Sequence, residues 1–346
     1  MQKPVSLAVV FAAALLSGGA RAADRLSPMA APVAEAPAPA WTGFHLGASA
    51  GYGWSAGGGA STVSLPLFDA IATTANGFDP PNVSAGGLTP GAAALANAGR
   101  APLDPSGFVG GGHVGYNFQV SERLLLGLEA DLQGATIRGG GAQAGLFRDS
   151  ISWNDGPGAH PCGPAVDCLL DRTTAGFGRV DAAVDWLGTA RGRLGYLVAP
   201  DLLIYGTAGF AYGGVRASAA HAAVTQGVMS NLNPPFDGFN GLYVLTPVAG
   251  AARFSGTRTG WTAGGGGEWM FAPNWSLRLE ALYYDLGTVS LAASTVAALS
   301  PISVAAPGGI AVAAGQPLGA HLPTTRLRFD GVVARAGVSY HFGGAR

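Results

Sequence analysis

Two short runs of residues in this sequence have the types and spacing that enzymes use. Residues 47–51, Gly-Ala-Ser-Ala-Gly, spell the G-x-S-x-G pattern in which a sharp strand-to-helix turn exposes a nucleophilic serine. Residues 110–115, Gly-Gly-Gly-His-Val-Gly, spell the G-x-G-x-x-G pattern that holds a pyrophosphate at a helix N-terminus. Both runs lie inside alternating segments with no helical pattern behind them. We therefore attribute both to the abundance of glycine, 56 residues in all.

A serine–histidine site is the second chemistry to consider. His45, Ser49, His113, Ser339 and His341 share one face of their alternating segments. Nucleophilic catalysis requires a serine, a histidine and a carboxylate within hydrogen-bonding distance of one another. Nothing in the spacing brings such a set together. The sequence therefore predicts no catalytic residue and a protein that is not an enzyme.

Eight charged residues fall on that same face, four carboxylates and four arginines: Glu129, Asp131, Glu268, Glu280, Arg191, Arg193, Arg278 and Arg335. They lie close to one end of their segments, so we expect them to meet in neighbouring layers of one narrow interior. Paired arginines and carboxylates would fill that interior as a plug. Pairs that break and reform would instead make a gated path for ions.

The segments that position these residues alternate with a period of two, which is typical of strands with two different faces. We predict eight strands, at roughly 41–55, 106–119, 124–138, 182–198, 202–217, 258–272, 276–290 and 327–342. Tight turns join three pairs, at Val120–Arg123, Ala199–Asp201 and Ala272–Asn274, whereas the other four connections have about 35 to 50 residues each.

Short turns on one side and long loops on the other are typical of outer-membrane barrels. The predicted fold is all-β: an eight-stranded antiparallel up-and-down transmembrane β-barrel with three short periplasmic turns and four long extracellular loops. In the last strand, Val332, Ala334, Ala336 and Val338 would face lipid, while Arg335 and its alternate neighbours would face the lumen.

The composition agrees with a barrel that meets lipid. Only 11% of the residues are charged, against roughly 25% in a soluble domain. The formal net charge of −1 argues against a nucleic-acid partner. The expected partners are the lipid of the bacterial outer membrane and, through the loops, a host or envelope surface. A secreted glycine-rich repeat protein is the alternative, but the sequence lacks a fixed repeat period.

The N-terminus has the features of an export signal. Lys3, the apolar run from Leu7 to Leu16 and the Ala20-Arg21-Ala22 site predict a signal peptide over residues 1–22. Residues 23–40 are rich in proline and alanine and are predicted to form an extended periplasmic segment. The barrel would then cover 41–342, and 343–346 would form a short tail.

Cys162 and Cys168 are the only cysteines. In an exported protein the simplest interpretation is a disulfide within the loop, and a metal pair with nearby His160 is the alternative. We expect no metal and no cofactor, although His160, His221 and His321 leave haem capture by the loops as a hypothesis.

The sequence also resembles the porin-like outer-membrane immunogenic proteins of alphaproteobacteria, eight-stranded barrels related to opacity-type adhesins. The matching phrases occur in all eight predicted strands and include Trp41–Phe44, Gly51–Trp54, Phe108–Gly111, Gly127–Asp131, Asp185–Thr189, Arg191–Tyr196, Tyr205–Gly213, Tyr283–Gly287 and Arg335–Phe342. The resemblance implies a surface-exposed envelope protein with structural or host-facing roles.

The resemblance further implies a C-terminal assembly signal, Tyr340 and Phe342, that is presented to the outer-membrane assembly machinery. Such proteins usually end on the aromatic residue, whereas Gly343-Gly344-Ala345-Arg346 follow it here. The loops are also longer than is usual in the family.

Overall fold

The computed structural model describes residues 41–66, 93–153, 159–160, 163–164, 168–231, 240–244, 248–293 and 321–342. The predicted signal peptide, N-terminal segment and C-terminal tail lie outside these ranges, so their assignments remain predictions. Across the described residues, no helix has the length and apolar character needed to span a membrane.

Thirteen strands follow one another along the described chain. They are β1 (Gly43–Ser55), β2 (Gly59–Pro66), β3 (Gly99–Pro102), β4 (Ser106–Gln119), β5 (Leu124–Trp153), β6 (Ala159–His160), β7 (Gly163–Pro164), β8 (Cys168–Ala199), β9 (Leu202–Asn231), β10 (Asn240–Val244), β11 (Val248–Ala272), β12 (Trp275–Ala292) and β13 (His321–His341). A single helical turn, residues 93–97, precedes β3.

Eight of these strands form a closed antiparallel ring. The order is β1, β4, β5, β8, β9, β11, β12 and β13, and β13 pairs back onto β1. The closing register runs from His45 opposite His341 to Ser55 opposite Gly331. Turns at 120–123, 200–201 and 273–274 join β4 to β5, β8 to β9 and β11 to β12. The predicted eight-stranded up-and-down barrel and its three tight turns are confirmed.

Several strands are much longer than the sequence predicts. The third predicted strand ends at residue 138, whereas β5 continues to Trp153 and pairs with β8 along that whole length. The strands β8, β9 and β11 extend in the same way beyond residues 182, 217 and 258. Much of the second and third predicted loops is therefore a continuation of the barrel wall.

The first predicted loop also contains ordered sheet. The strands β1 and β4 are short compared with β5, β8 and β9. On the extracellular side of their ends, β2 pairs with β13 and β3 pairs with β2. The carbonyl of Pro102 on β3 lies against Gly141 of β5, where a side chain would collide with it. The β2–β3 hairpin therefore fills the wall where β1 and β4 have ended.

Two belts of aromatic side chains mark the membrane-facing band. The outer belt contains Tyr52, Phe108, Trp186, Tyr212, Trp261 and Tyr283, and the periplasmic belt contains Phe44, Tyr116, Trp269, Trp275 and Tyr340; ring contacts join neighbours within each belt. Eight residues separate Phe44 from Tyr52 and Trp261 from Trp269. At about 3.3 Å per residue, eight residues extend roughly 26 Å along a strand. With a strand tilt of about 40° this is roughly 20 Å along the membrane normal, comparable with the apolar band of about 25 Å in outer-membrane barrels.

Glycines make room for large side chains inside the narrow barrel. The imidazole of His113 lies over Gly47, and that of His45 lies over Gly115, so a Cβ atom at either glycine would collide with the ring. At Gly47 the Cβ would also collide with the backbone carbonyl oxygen of Val338 on β13. The neighbouring Gly112 faces outward, and a Cβ there would be 3.5 Å from the Gly47 carbonyl oxygen, an ordinary contact. Small inward residues thus allow bulky inward residues on the next strand.

We expect Gly47→Ala to destabilise the barrel by about 1–3 kcal/mol because the added methyl overpacks the lumen. Urea unfolding of the refolded protein in lipid vesicles, followed by tryptophan fluorescence, measures the change. Gly112→Ala is the matched control on the outward face and should unfold like the wild type. Equal destabilisation by both variants would contradict this account of lumen packing.

A buried polar cluster joins the hairpin to the wall outside the membrane band. His221 Nε2 lies 3.0 Å from Thr325 Oγ1, and Thr325 Oγ1 lies 2.9 Å from Thr62 Oγ1 on β2. His321 Nε2 lies 3.2 Å from Asn97 Nδ2 of the helical turn. Burial, together with nearby His221, lowers the pKa of His321 to about 4, and burial lowers the pKa of His221 as well.

We expect this cluster to loosen as the pH falls from about 6.5 towards 4. In that range an unfolded histidine binds a proton and the buried His321 does not, so acid favours local opening. Hydrogen exchange of the β2 amides at pH 7 and pH 5, corrected for intrinsic rates, tests the effect. His321→Gln should reduce the pH dependence of this exchange. Equal protection of the wild-type β2 amides at both pH values would refute the predicted loosening of the cluster.

Candidate functional site

The eight charged residues singled out by the alternation all point into the lumen. Their residue exposure ranges from 0 to 7%. Each strand presents them at alternate positions, since a period of two places every second side chain on the same face. β5 carries Glu129 and Asp131, β8 carries Arg191 and Arg193, β11 carries Glu268, β12 carries Arg278 and Glu280, and β13 carries Arg335.

Arg191 is the centre of the larger group. Its Nη2 donates to Glu129 Oε1 at 2.5 Å and to Asp131 Oδ2 at 2.9 Å. Its Nη1 donates to Glu280 Oε1 at 2.8 Å. One guanidinium therefore binds three carboxylates from two strands on different sides of the lumen.

Two further arginines complete this group. Arg278 Nη2 donates to Glu129 Oε1 at 2.5 Å and to Glu280 Oε1 at 3.1 Å. Arg335 donates through Nε to Glu280 Oε2 at 2.8 Å and through Nη2 to Asp131 Oδ2 at 2.9 Å. Each carboxylate of the group is thus shared between arginines, so the contacts form a network rather than separate pairs.

A smaller group lies closer to the periplasmic turns. Arg193 pairs with Glu268, and its guanidinium carbon lies 3.7 Å from the centre of the Tyr205 ring. Glu268 Oε1 accepts from Ser276 Oγ at 2.6 Å and lies 3.0 Å from His341 Nε2. Charged, hydroxyl and imidazole groups therefore surround the buried carboxylate.

Tyr205 connects the two groups and was not among the residues that the alternation singled out. Its hydroxyl accepts from Arg278 Nε at 2.8 Å and donates to Glu280 Oε1 at 3.2 Å. Its inward position follows from the same period of two, with Leu203 and Thr207 as inward neighbours on β9. The alternation could therefore have identified Tyr205 as an inward residue, but only charged residues on that face were considered for the lumen network.

Apolar side chains fill the lumen on both sides of the charged layer. On the periplasmic side Trp41, Leu125, Leu197, Leu203 and Met270 pack together, with Tyr205 at the boundary. Two contacts hold Trp41 in place at the periplasmic end of the lumen. Its Nε1 donates to the Pro200 carbonyl at 2.9 Å, and its ring contacts His341 edge-on.

On the extracellular side a larger apolar cluster follows the charges. It includes Val109, Ile137, Leu187, Leu286, Phe329 and Val333. The order is visible along β8 alone, where Leu197, Arg193, Arg191 and Leu187 are successive large buried side chains from the periplasmic end outward. The charges consequently lie between two apolar layers.

The serine and histidine candidates are structural neighbours inside this lumen. His113 Nε2 and Ser339 Oγ are 2.9 Å apart and both residues are buried. Ser49 accepts from Gln133 Nε2 at 3.3 Å in the middle of β1, so the G-x-S-x-G run forms no strand-to-helix turn. The G-x-G-x-x-G run likewise lies within β4.

The cysteine pair and the assembly signal remain predictions. Cys162 lies outside the described residues, and Cys168 begins β8 opposite Trp153 and Asn231. The Tyr340 ring contacts Trp275 and Phe342 within the periplasmic belt. Across the described chain, no group of three or more His, Cys, Asp or Glu residues could hold a metal ion. His221 and His321 are buried rather than displayed for a surface ligand.

Comparison with known proteins agrees with this architecture. The family model described as outer membrane protein beta-barrel domain matches residues 11–342. The chain is 30% identical over 286 residues to the 31 kDa outer-membrane immunogenic proteins of Brucella melitensis and Brucella suis, covering 83% of this chain and 87% of each relative. Ail, the attachment invasion locus protein of Yersinia pestis, matches at 9% identity and a TM-score of 0.22, over 85% of this chain and 99% of that one.

The closed ring, the two aromatic belts and the match over nearly the whole chain lead to one assignment. The chain belongs to the outer-membrane β-barrel family and is a protein of the bacterial outer membrane, related to the outer-membrane immunogenic proteins.

Proposed function

We propose that this protein is a non-enzymatic barrel with a sealed lumen, and that it supports envelope integrity and makes surface contacts through its extracellular part. The observation that carries the proposal is the charged layer enclosed by apolar layers. Its four arginines and four carboxylates balance in charge, and every one of them takes part in an ion pair within the lumen.

The energetics of this layer oppose the alternative of a small pore. An ion passing through would have to separate Arg191 from its three carboxylates in a region shielded from solvent. Removing one partner from a buried ion pair costs about 3–5 kcal/mol, because the other charge is left uncompensated. The apolar layers add a second barrier, since they offer an ion no polar groups in place of its hydration shell.

The contact role is supported by the wall that continues beyond the outer belt. It presents exposed apolar side chains, among them Val63 and Leu65 on β2, at 55% and 63% exposure. Exposed apolar groups on a surface that lies outside the membrane favour contact with other molecules. The word immunogenic in the names of the Brucella relatives is consistent with exposure of this part of the fold.

Single-channel recording of the refolded protein in a phosphatidylcholine bilayer tests the sealed lumen. The wild type should show no stable openings. Arg191→Ala leaves three carboxylates, Glu129, Asp131 and Glu280, to the two remaining arginines of the group. Because one buried negative charge is then uncompensated, we expect the variant to lose about 3–5 kcal/mol of stability or to open with cation selectivity. Arg123→Ala, at an exposed periplasmic turn, removes the same charge and should stay closed.

A charge-neutral variant sharpens this experiment. Arg193→Gln combined with Glu268→Gln removes one cation and one anion together, so the lumen should remain closed. Frequent, stable openings of the wild type would overturn the sealed lumen and favour a small porin.

A further inference from the structure

A group of outward-facing arginines lies on four adjacent strands and takes no part in the lumen network. Arg138 on β5, Arg179 on β8, Arg216 on β9 and Arg253 on β11 are all exposed. Together with Asp181 and Asp185 of β8 they form what we call the arginine patch. Four cations against two carboxylates give it a net charge of +2.

The height of the patch is fixed by the outer belt. Arg138 lies opposite Ser106, two residues beyond Phe108, and Arg216 lies four residues beyond Tyr212. At about 3.3 Å per residue and a tilt of about 40°, Arg138 and Arg216 are roughly 5–10 Å beyond the belt. Arg253 and Arg179 lie opposite Ser218 and Ala220, so they are roughly 15 and 20 Å beyond it. The headgroup layer of a bilayer adds about 5–7 Å on each side of the hydrocarbon, so Arg138 and Arg216 lie at the level of the headgroups or just beyond it.

The patch leaves guanidinium groups available for a ligand. Arg216 binds both oxygens of Asp185, donating through Nε to Oδ2 at 2.6 Å and through Nη2 to Oδ1, and Arg138 Nη2 lies 4.0 Å from Asp185 Oδ1. One carboxylate therefore serves two arginines, and the side chains of Arg138 and Arg216 remain 65% and 53% exposed, respectively. Arg179 binds both oxygens of Asp181 and is still 74% exposed.

Small residues around the patch leave space for a bulky headgroup. Beyond Arg216, the outward row through Arg179 contains Ala142, Ala220 and Ala251 on the neighbouring strands. These alanines and the next row line a shallow depression in the outer face of the wall. The depression adjoins Arg179, so a large ligand held at Arg138 and Arg216 could extend outward along the wall to it.

The distribution of outward cations is asymmetric across the membrane band. On the opposite side of the barrel, Arg328 is another outward arginine, four residues beyond Val332, and its side chain is 56% exposed. At the periplasmic end, by contrast, Arg123 is the one outward arginine of the described chain. The outward arginines of the described chain are therefore concentrated on the extracellular side of the membrane band.

We propose that the arginine patch binds the phosphate groups of the anionic glycolipid in the outer leaflet. Arginine binds phosphate in two-pronged hydrogen bonds, and the pair Arg138 and Arg216 near headgroup height matches the phosphates of a sugar anchored by acyl chains, with Arg253 and Arg179 further out. The proposal rests on the place of the barrel in the outer membrane and is independent of whether its lumen is sealed.

Native mass spectrometry of the refolded full-length protein in detergent, titrated with lipid A, tests this site. The wild type should bind lipid A that carries both phosphates at least about tenfold more tightly than the same lipid after enzymatic dephosphorylation. The double variant Arg138→Ala/Arg216→Ala should lose most of this difference. Inorganic phosphate is the second probe, and binding as tight as that of lipid A would overturn the glycolipid assignment.

The matched control removes two exposed arginines elsewhere. Arg123→Ala/Arg148→Ala makes the same change in net charge at the periplasmic turn and far out on β5, and it should bind lipid A like the wild type. Equal loss of binding in the control would show a general charge effect and overturn the site. Indifference of the wild type to the lipid phosphates would overturn it as well.

A variant of the carboxylate separates ligand binding from structural support. Asp185→Asn releases Arg138 and Arg216 from their shared partner, so we expect tighter binding of lipid A. If the patch were merely an internal ion-pair cluster, this variant would weaken binding as the arginine variants do. Should the arginine double variant fail to refold, the result with Asp185→Asn decides: a gain supports the proposal and no gain overturns it.

Discussion

Closure of the ring between β1 and β13 is the constraint on which the rest of the structure depends. In hydrocarbon no water is available to bond an open sheet edge, so the first and last strands must pair with each other. With eight strands, this closure leaves an interior just wide enough for side chains. Every inward residue must therefore pack against inward residues from other strands, which explains both the glycines under His45 and His113 and the dense contacts of the charged layer.

The membrane band of the fold could be predicted from the sequence because each strand there meets two different surroundings. Lipid on one side requires large apolar residues such as Leu126, Leu128 and Leu132, while the lumen tolerates Glu129 and Asp131 on the same strand. That contrast produces a clear period of two. Beyond the outer belt the contrast ends, because both faces accept small or polar residues. The wall formed by Gly139–Leu146 and its partners on β8 has no such signal, so these strands resembled loops.

The lumen shows a similar division between what the sequence could and could not reveal. The period of two along each strand was sufficient to identify which charged residues face inward. It could not show that Arg191 would meet Glu280, because that contact joins residues 89 positions apart and depends on how far neighbouring strands are staggered around the ring. It also could not show that Trp41 would pack into the periplasmic apolar cluster, since this residue precedes β1 and its position depends on a hydrogen bond to Pro200.

Charge has opposite consequences on the two faces of this barrel. In the lumen each arginine must be matched, since an uncompensated charge shielded from water destabilises the fold, and the carboxylates of β5, β11 and β12 supply that match. On the outer face, beyond the belt, Arg138 and Arg216 are exposed and solvent screens their charge, so the two can share Asp185. The same residue type therefore holds the inside of the barrel together and, a few residues further along the strands, leaves the outside free to bind anions.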